Sequence, residues 1–548
     1  MEAPISAVGF SVPPKPSGLQ VRTVTAAALG TVFEWYDFTL YGAMASILAA
    51  KFFSGLNPSL SFIFALLTFG VGFVVRPVGA IVFGRLGDLV GRKRTFMITI
   101  VIMGGATFGV GLLPVYATAG MLAPVLLISL RILQGLALGG EYGGAVIYVT
   151  EHVDRSKRGL STSFIQMTGS LGLIVALVVI QTVQASTTQA SFDTWAWRLP
   201  FLLSIILLAA SVRIRQRMHE SPVFKKMQEE KRLSTSPIRE TFGNLANLKQ
   251  LAVALFGLGG GMAVIVYNAL FYPLFFLTQT LKLPSATANL MTMAATVLCI
   301  PLFCLAGWLS DRFGRKPVVL AGFVLAIATT FPIFHEIAHL ANPALEAAQA
   351  SSPVSVQTVP GGCSFMFNPI GNRRFTSPCD VSRQILSAAS VTYTTADDPG
   401  ATETVVHVGD QVIASNGADR FNQAQFTHDL GDALKQAGYG AAANPDGAQQ
   451  IEIIGLLLLL LFCMTLGYGP VAVAMAEMFP ARIRYTAMSF PYHFASGWIG
   501  GLLPTFSFAI AAAQGNIFAG LWYAVTWMII GSVITFLFYR ERRGPDLE

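Results

Sequence analysis

Two carboxyls, Glu34 and Asp37, stand inside the first long apolar run of the chain. On a helix that starts near residue 23 they lie about 18 and 22 Å in, near the middle of a hydrocarbon core roughly 30 Å thick. The i, i+3 spacing puts both on one face, beside Phe38 and Tyr41. An ionisable group at that depth costs roughly 2.5–3.5 kcal/mol even on insertion scales, so it lines a watered path or has a partner. A carboxyl that exchanges between apolar and watered surroundings can take up and release a proton, which is the chemistry of a proton carrier. The alternative is a structural ion pair locking the first helix to the fourth. Arg131 serves either reading, because it enters the fourth helix about 12 Å from its outer end and can reach Asp37.

Other polar residues interrupt apolar runs in the same way. Arg76 lies about 12 Å from the inner end of the second helix, just before Pro77. A buried guanidinium can grip a carboxylate through two parallel hydrogen bonds; the plainer reading has Arg76 bracing Asp88 or Glu151. Arg198, at the outer end of the sixth helix, is a second candidate anion contact or an interfacial anchor. Gln166, Tyr267, Asn268 and His493 each read equally as a substrate contact or a helix–helix hydrogen bond. His493 also has a side chain able to titrate near neutral pH.

The elements that must position these groups are membrane helices. Of 548 residues, 53% are hydrophobic and 12% charged, against roughly 25% charged in a soluble domain, and the mean hydropathy is +0.59. Apolar runs predict helices over 23–50, 60–84, 95–116, 122–147, 160–184, 197–213, 249–279, 286–309, 317–338, 452–476, 486–512 and 517–539. The net charge of +7 does not point to nucleic acid, since the basic residues cluster in the short connections where membrane topology puts them. Lys51 and Lys282, with Arg198 at a helix mouth, are the basic residues of the outer short loops. That asymmetry predicts cytoplasmic N and C termini. The first residues lack the pattern of a cleaved secretory signal, so the first helix is expected to be an uncleaved anchor.

The expected organisation is a cytoplasmic tail (1–21), a six-helix bundle (22–213) and a basic central segment (214–248). A second bundle (249–339 and 451–539) then follows, interrupted by 340–450, with a short tail at 540–548. The interruption is polar and holds five basic against ten acidic residues. Within it, the run from Ser390 to Ile413 alternates like two strands around Asp397-Asp398-Pro399-Gly400, and Phe421 to Gly438 has helical spacing. A small α+β unit outside the membrane is expected there. Cys363 and Cys379 fall within it, in an oxidising compartment, where a disulfide closing that loop would contribute roughly 3 kcal/mol.

A duplicated segment then narrows the fold. Gly84-Arg85-Leu86-Gly87-Asp88-Leu89-Val90-Gly91-Arg92-Lys93 follows helix two, and Gly307-Trp308-Leu309-Ser310-Asp311-Arg312-Phe313-Gly314-Arg315-Lys316 follows helix eight. Both read G-x-L-x-D-x-x-G-R-K at matching places in their halves. Further residues add to it: Phe33 to Phe38, Arg76-Pro77-Val78-Gly79, Arg131 to Gly135, Gly139-Gly140-Glu141, Trp197 to Phe201, Glu220 to Phe224, and Ala476 to Tyr485. The set resembles the major facilitator superfamily, and within it the metabolite:proton symporters that carry shikimate, 2-oxoglutarate, citrate, or proline and betaine. Leu89 stands where that family usually has Arg, and the 340–450 insert is foreign to it.

The resemblance implies an all-α membrane protein of twelve helices in two pseudo-symmetric bundles that rock about a midplane site. It implies a bacterial inner-membrane carrier, a monomer with no cofactor beyond a proton gradient, whose partners are a small-molecule substrate, protons and lipid. In related facilitators the arginine matching Arg131 pairs with the helix-one acid, so Asp37, Glu34 and Arg131 become the expected proton-coupling set. Arg76, Tyr41, Gln166, Arg198, Tyr267, Asn268 and His493 become the expected substrate contacts, with an organic acid as the leading substrate. Gly84, Asp88, Gly91, Arg92, Asp311, Arg312, Gly314, Arg315, Glu151, Arg158, Glu477 and Arg482 become the expected gating residues, a cytoplasmic latch. The chain carries no HExxH, Walker or G-x-S-x-G motif, so no enzyme is expected. Alternatives are an uncoupled or osmoprotectant carrier, or a sensor that reads a ligand or extracytoplasmic partner through the insert.

Overall fold

The structure, a computed structural model, describes residues 18–54, 68, 70–216, 220–364, 376–417, 421–439 and 443–541. Its principal helices are α1 (Gly18–Ala43), α2 (Arg76–Val90), α3 (Arg92–Leu112), α4 (Leu122–His152), α5 (Arg155–Ser186), α6 (Ala196–Gln216), α7 (Leu245–Thr280), α8 (Ser285–Phe313), α9 (Arg315–Ala341), α10 (Gly447–Met478), α11 (Arg484–Gln514) and α12 (Leu521–Phe538). Ten of these, α3 to α12, are long and apolar enough to cross a membrane. Residues 55–67 and 69, where the expected second helix begins, lie outside the described residues.

Two bundles form from consecutive helices. In the first, α1 packs on α5, α4 on α2 and α3, and α6 on α3; in the second, α10 packs on α8 and α9, and α12 on α7 and α9. Glycine sets the closest approaches. A Cβ on Gly79 would stand 2.0 Å from the Leu136 carbonyl oxygen, and one on Gly139 2.2 Å from that of Arg76. Here α2 and α4 touch through backbone, as small residues permit in membrane bundles. The halves meet along α2–α11 and α5–α8.

The duplicated segment differs from the expected loop. Helix continues through Asp88 to Val90 and through Asp311 to Phe313. Only Gly91 (φ 113°) and Gly314 (φ 109°) separate each helix from the next; a backbone with that φ favours glycine, so a single residue makes the turn. The central segment also shrinks: α6 runs to Gln216, short helices occupy Pro222–Glu229 and Pro237–Gly243, and α7 begins at Leu245. Wide π-helical turns interrupt α7 at Val253–Gly259, Tyr267–Phe271 and Phe276–Thr280, and α11 at Ala495–Gly500.

Between α9 and α10 the chain builds a four-stranded sheet in the order β2-β1-β3-β4. The strands are β1 (Val354–Thr358), β2 (Tyr393–Asp397), β3 (Val405–Val408) and β4 (Gln411–Ala414). The expected pairing of the 393 and 405 strands with each other is corrected. β1 lies between them, parallel to β2 and antiparallel to β3, because helix Pro378–Ala388 makes the crossover that a parallel β1–β2 pair requires. The tight hairpin is β3–β4, turning at Gly409 (φ 54°). Phe426 and Leu430 of helix Gln423–Gln436 are buried. Cys363 and Cys379 are joined, their Cα atoms 5.2 Å apart.

Candidate functional site

Arg76 opens α2 and is buried where the halves meet. The α2–α4 approach leaves its guanidinium between two rings, 4.3 Å from the centroid of Phe38 and 4.2 Å from that of Phe73. Opposite stand groups of the second half, with Tyr267, Tyr468, Tyr492 and His493 all within electrostatic reach. Tyr142 stacks on Tyr492 with centroids 4.0 Å apart, and its hydroxyl donates to Gln166 Oε1. Gln166 Nε2 in turn donates to the Tyr468 carbonyl at 3.2 Å. Asn268 Nδ2 donates to Thr330 Oγ1 at 3.3 Å. Several buried polar atoms have no hydrogen-bond partner among the described residues: Arg76 Nε and Nη2, both ring nitrogens of His493, and Asn268 Oδ1. Leaving such groups unsatisfied costs about 1–3 kcal/mol each, a cost that ligand acceptor oxygens would relieve at Arg76 and a ligand hydroxyl or N–H at Asn268 Oδ1.

Asp37 is buried one helical turn from Glu34, with Oδ1 lacking a hydrogen-bond partner among the described residues. The expected direct contact with Arg131 is replaced by neutral side chains between the two. Arg131 Nη1 donates to Gln134 Oε1 at 2.8 Å, and Gln134 Nε2 donates to Thr107 Oγ1 at 2.7 Å. Thr107 Oγ1 donates in turn to the Met103 carbonyl at 3.1 Å, and its side chain stands beside Asp37. Gln134 intercepts Arg131 because it sits at i+3 on α4, on the same face. The Arg131 guanidinium lies over Tyr41 at 4.3 Å and Phe38 at 5.0 Å, so Phe38 separates the two arginines of the site.

Arg215 of α6 pairs with Glu34 Oε1, and its Nη1 donates to Glu141 Oε1 of α4 at 2.6 Å. The guanidinium lies 3.9 Å over the Phe96 ring. A Cβ on Gly30 would stand 2.7 Å from Arg215 Nε, so glycine on α1 makes the room. Neither Arg215 nor Glu141 was among the expected site residues. The expected end of the sixth helix at residue 213 leaves Arg215 in the central segment, yet it continues the stripe of Ser204, Leu208 and Ser211 at helical spacing, where Ser204 and Ser211 are buried.

At the end of the bundle that carries the duplicated segments, the two halves exchange matching contacts. Asp88 accepts from the Tyr485 and Thr486 amides at 3.2 and 3.0 Å and from Thr486 Oγ1 at 2.8 Å, capping α11. Asp311 accepts from the Gly159 and Leu160 amides, each at 2.8 Å, near the start of α5. Glu151 pairs with Arg484 at 2.9 Å and Arg92 at 3.6 Å, while Glu477 pairs with Arg315 at 3.4 Å and Arg158 at 3.6 Å. Glu220 caps α3 through the Arg92 and Lys93 amides, as Glu541 caps α9 through those of Arg315 and Lys316. Gly84 lies against Thr486, where a Cβ would come within 2.8 Å of the Thr486 Cα.

Three expected residues fall elsewhere. Arg198 donates to the Leu113 carbonyl at 3.2 Å and stacks on Trp197, at the far end of the bundle from the latch. Arg312 is exposed over Trp308 and Phe313, since its place on α8 points away from the partner half. Arg482 is paired with Glu240 of the central segment at 2.5 Å, not with the acids of the latch.

Residues 27–334 match the profile of the Major Facilitator Superfamily. The chain belongs to this superfamily. Residues 435–548 match the profile described as sugar (and other) transporter, so the sheet-bearing segment falls between the two matches. The facilitator is 35% identical over 335 residues to the shikimate transporter of Escherichia coli (strain K12), covering 59% of this chain and 75% of that one. It is 35% identical over 320 residues to the proline/betaine transporter of Salmonella typhimurium (strain LT2), covering 57% of this chain and 64% of that one. Its fold matches the proton:xylose symporter XylE bound to 6-bromo-6-deoxy-D-glucose with a TM-score of 0.61 at 15% identity, over 96% of this chain and 97% of that one. The facilitator is thus a multi-pass membrane transporter of metabolites and not an enzyme.

Proposed function

We propose that this facilitator imports a small carboxylate-bearing metabolite across a bacterial inner membrane by proton symport, alternating access as its halves rock. One observation carries the substrate class: Arg76, buried between Phe38 and Phe73 at the meeting of the halves, has two donor nitrogens unpartnered among the described residues. A carboxylate can accept both in parallel, and the tyrosines of α4, α7, α10 and α11 supply apolar walls with polar tips. In this reading α1 and α2 complete twelve crossings, the latched end is cytoplasmic with both termini, and the sheet-bearing insert is periplasmic. Coupling comes from Asp37, an acid without a direct cation partner among the described residues, which can bind a proton at each turnover.

The aromatic walls also favour a second reading, a betaine or proline carrier, because a quaternary ammonium is held by ring faces. A panel of cyclic hydroxy acids, dicarboxylates, aromatic acids and betaines, screened by thermal shift on purified protein, separates the two. Stabilisation by an acid together with substrate-induced alkalinisation around proteoliposomes supports symport of an organic acid. Stabilisation by betaines alone would replace it with the osmoprotectant reading, and an inert panel of acids would sink the leading one.

A further inference from the structure

The first bundle buries more acid than it pairs. Glu34, Asp37 and Glu141 occupy one compartment between α1, α3, α4 and α6, with Arg215 as the cation that touches two of them. Two carboxylates on one guanidinium leave a surplus negative charge, and an uncompensated buried charge is far costlier than a neutral acid. Each glutamate offers Arg215 only its Oε1, and both Oε2 atoms are buried without a hydrogen-bond partner among the described residues. Those oxygens are places for a proton.

Position gives the cluster a direction. Glu34 precedes Asp37 by one turn on α1, and Asp37 lies near enough to repel Glu141. On the other side, Tyr485 of α11 donates from its hydroxyl to the Gly140 carbonyl at 2.6 Å and feels both Glu141 and Arg215. Its amide is bonded to Asp88 in the latch. Among the described residues, the charged and titratable groups facing the cluster are Asp37 from α1, with Arg131 of α4 behind Gln134 and Thr107, Tyr485 from α11 and, behind it, Asp88 with Arg92.

We propose that Glu34 and Glu141, bridged by Arg215, form a second proton-binding station between Asp37 and the latched end. The inference rests on the proton-symport reading. In the step, the carboxylic acid of Asp37 gives its proton to the Glu141 carboxylate, leaving Asp37 ionised and Glu141 neutral. Arg215 keeps its own proton throughout, as guanidinium does in proteins. When the latch opens, the proton passes from the glutamate pair to water at that end.

The test uses full-length carrier in proteoliposomes, reading pH-gradient-driven accumulation and counterflow on the same samples. No proton movement with substrate in wild type would end the symport reading itself. With wild type coupled, Glu141→Gln is expected to lose accumulation relative to its own counterflow, and its counterflow to lose its pH dependence. Folded Glu141→Gln and Glu34→Gln carriers that both keep the wild-type ratio and pH profile overturn the second station alone. If the glutamine variants do not fold, infrared difference spectra between acid and alkaline buffer decide, on carrier with isotope-labelled glutamate carboxyls. A protonated glutamate band that persists in Asp37→Asn supports the station, and its absence overturns it.

Discussion

At the residue scale the site is defined by unmet hydrogen-bonding demand. Arg76 has two faces covered by aromatic rings and two nitrogens unpartnered among the described residues, so its remaining interaction capacity lies in the plane of the guanidinium, where a carboxylate binds. If the substrate is the proposed carboxylate, Arg76→Gln should weaken its binding by about 2 kcal/mol or more, roughly thirtyfold, and Arg76→Lys should not fully restore it because an ammonium cannot make the parallel pair. Calorimetric titration of the purified carrier checks both. Asp37→Asn should abolish uphill, pH-driven uptake while leaving exchange partly intact; full accumulation in that variant would remove the proton role. Gln134 and Thr107 stand between Arg131 and Asp37, so the two charges are held apart by neutral side chains.

The element scale is governed by helix ends. An α-helix starts with amides that lack intrahelical acceptors, and here an acid from the opposite half satisfies them: Asp88 for α11 and Asp311 at α5. Each contact therefore links the two bundles as well as capping a helix, and the flanking pairs Glu151–Arg484 and Glu477–Arg158 repeat the arrangement. Asp88→Ala should speed hydrogen exchange at the Tyr485 and Thr486 amides, whereas Asp311→Ala should do so at Gly159 and Leu160. Each lost cap is worth about 0.5–2 kcal/mol, and exchange measured by mass spectrometry reads the two sites separately. Gly139→Ala should cost about 1–3 kcal/mol in thermal stability, since its Cβ would meet backbone rather than a side chain that can move.

For the whole molecule, the bonds seen at the edges of the insert among the described residues fasten it to the second half. The Tyr393 amide donates to the Gly515 carbonyl at 2.7 Å, its hydroxyl to that of Ala512, Ser390 Oγ to that of Gln279 at 3.4 Å, and Asn342 Nδ2 to that of Leu281 at 3.0 Å. These acceptors belong to the far ends of α7 and α11, so the insert should move with the second bundle. Burial also pushes the Tyr393 phenol up from its ordinary ionisation range, so it stays a donor at neutral pH. Replacing Cys363 and Cys379 with serine should make the insert more sensitive to protease, a loss of roughly 3 kcal/mol of loop closure, while ligand-induced thermal stabilisation of the carrier stays unchanged. Deleting the insert and finding transport unchanged would leave the sensor reading without its supporting feature.

The sequence by itself determined what depends on local pattern. Apolar runs separated by basic turns specify membrane helices, the repeat of G-x-L-x-D-x-x-G-R-K specifies two related halves, and Phe426 with Leu430 at helical spacing specifies a buried helix face in the insert. The polar residues within apolar runs were legible as candidates for the same reason, because hydrocarbon tolerates few of them. Which residue meets which was decided only by tertiary structure. Gln134 displaces Asp37 as the partner of Arg131, Arg215 reaches Glu34 and Glu141 from beyond the expected end of the sixth helix, and β1 separates two strands that read as a hairpin. Those pairings hang on where separate helices cross, at glycines such as Gly30, Gly79 and Gly139, and a crossing between distant segments leaves no periodicity in either one.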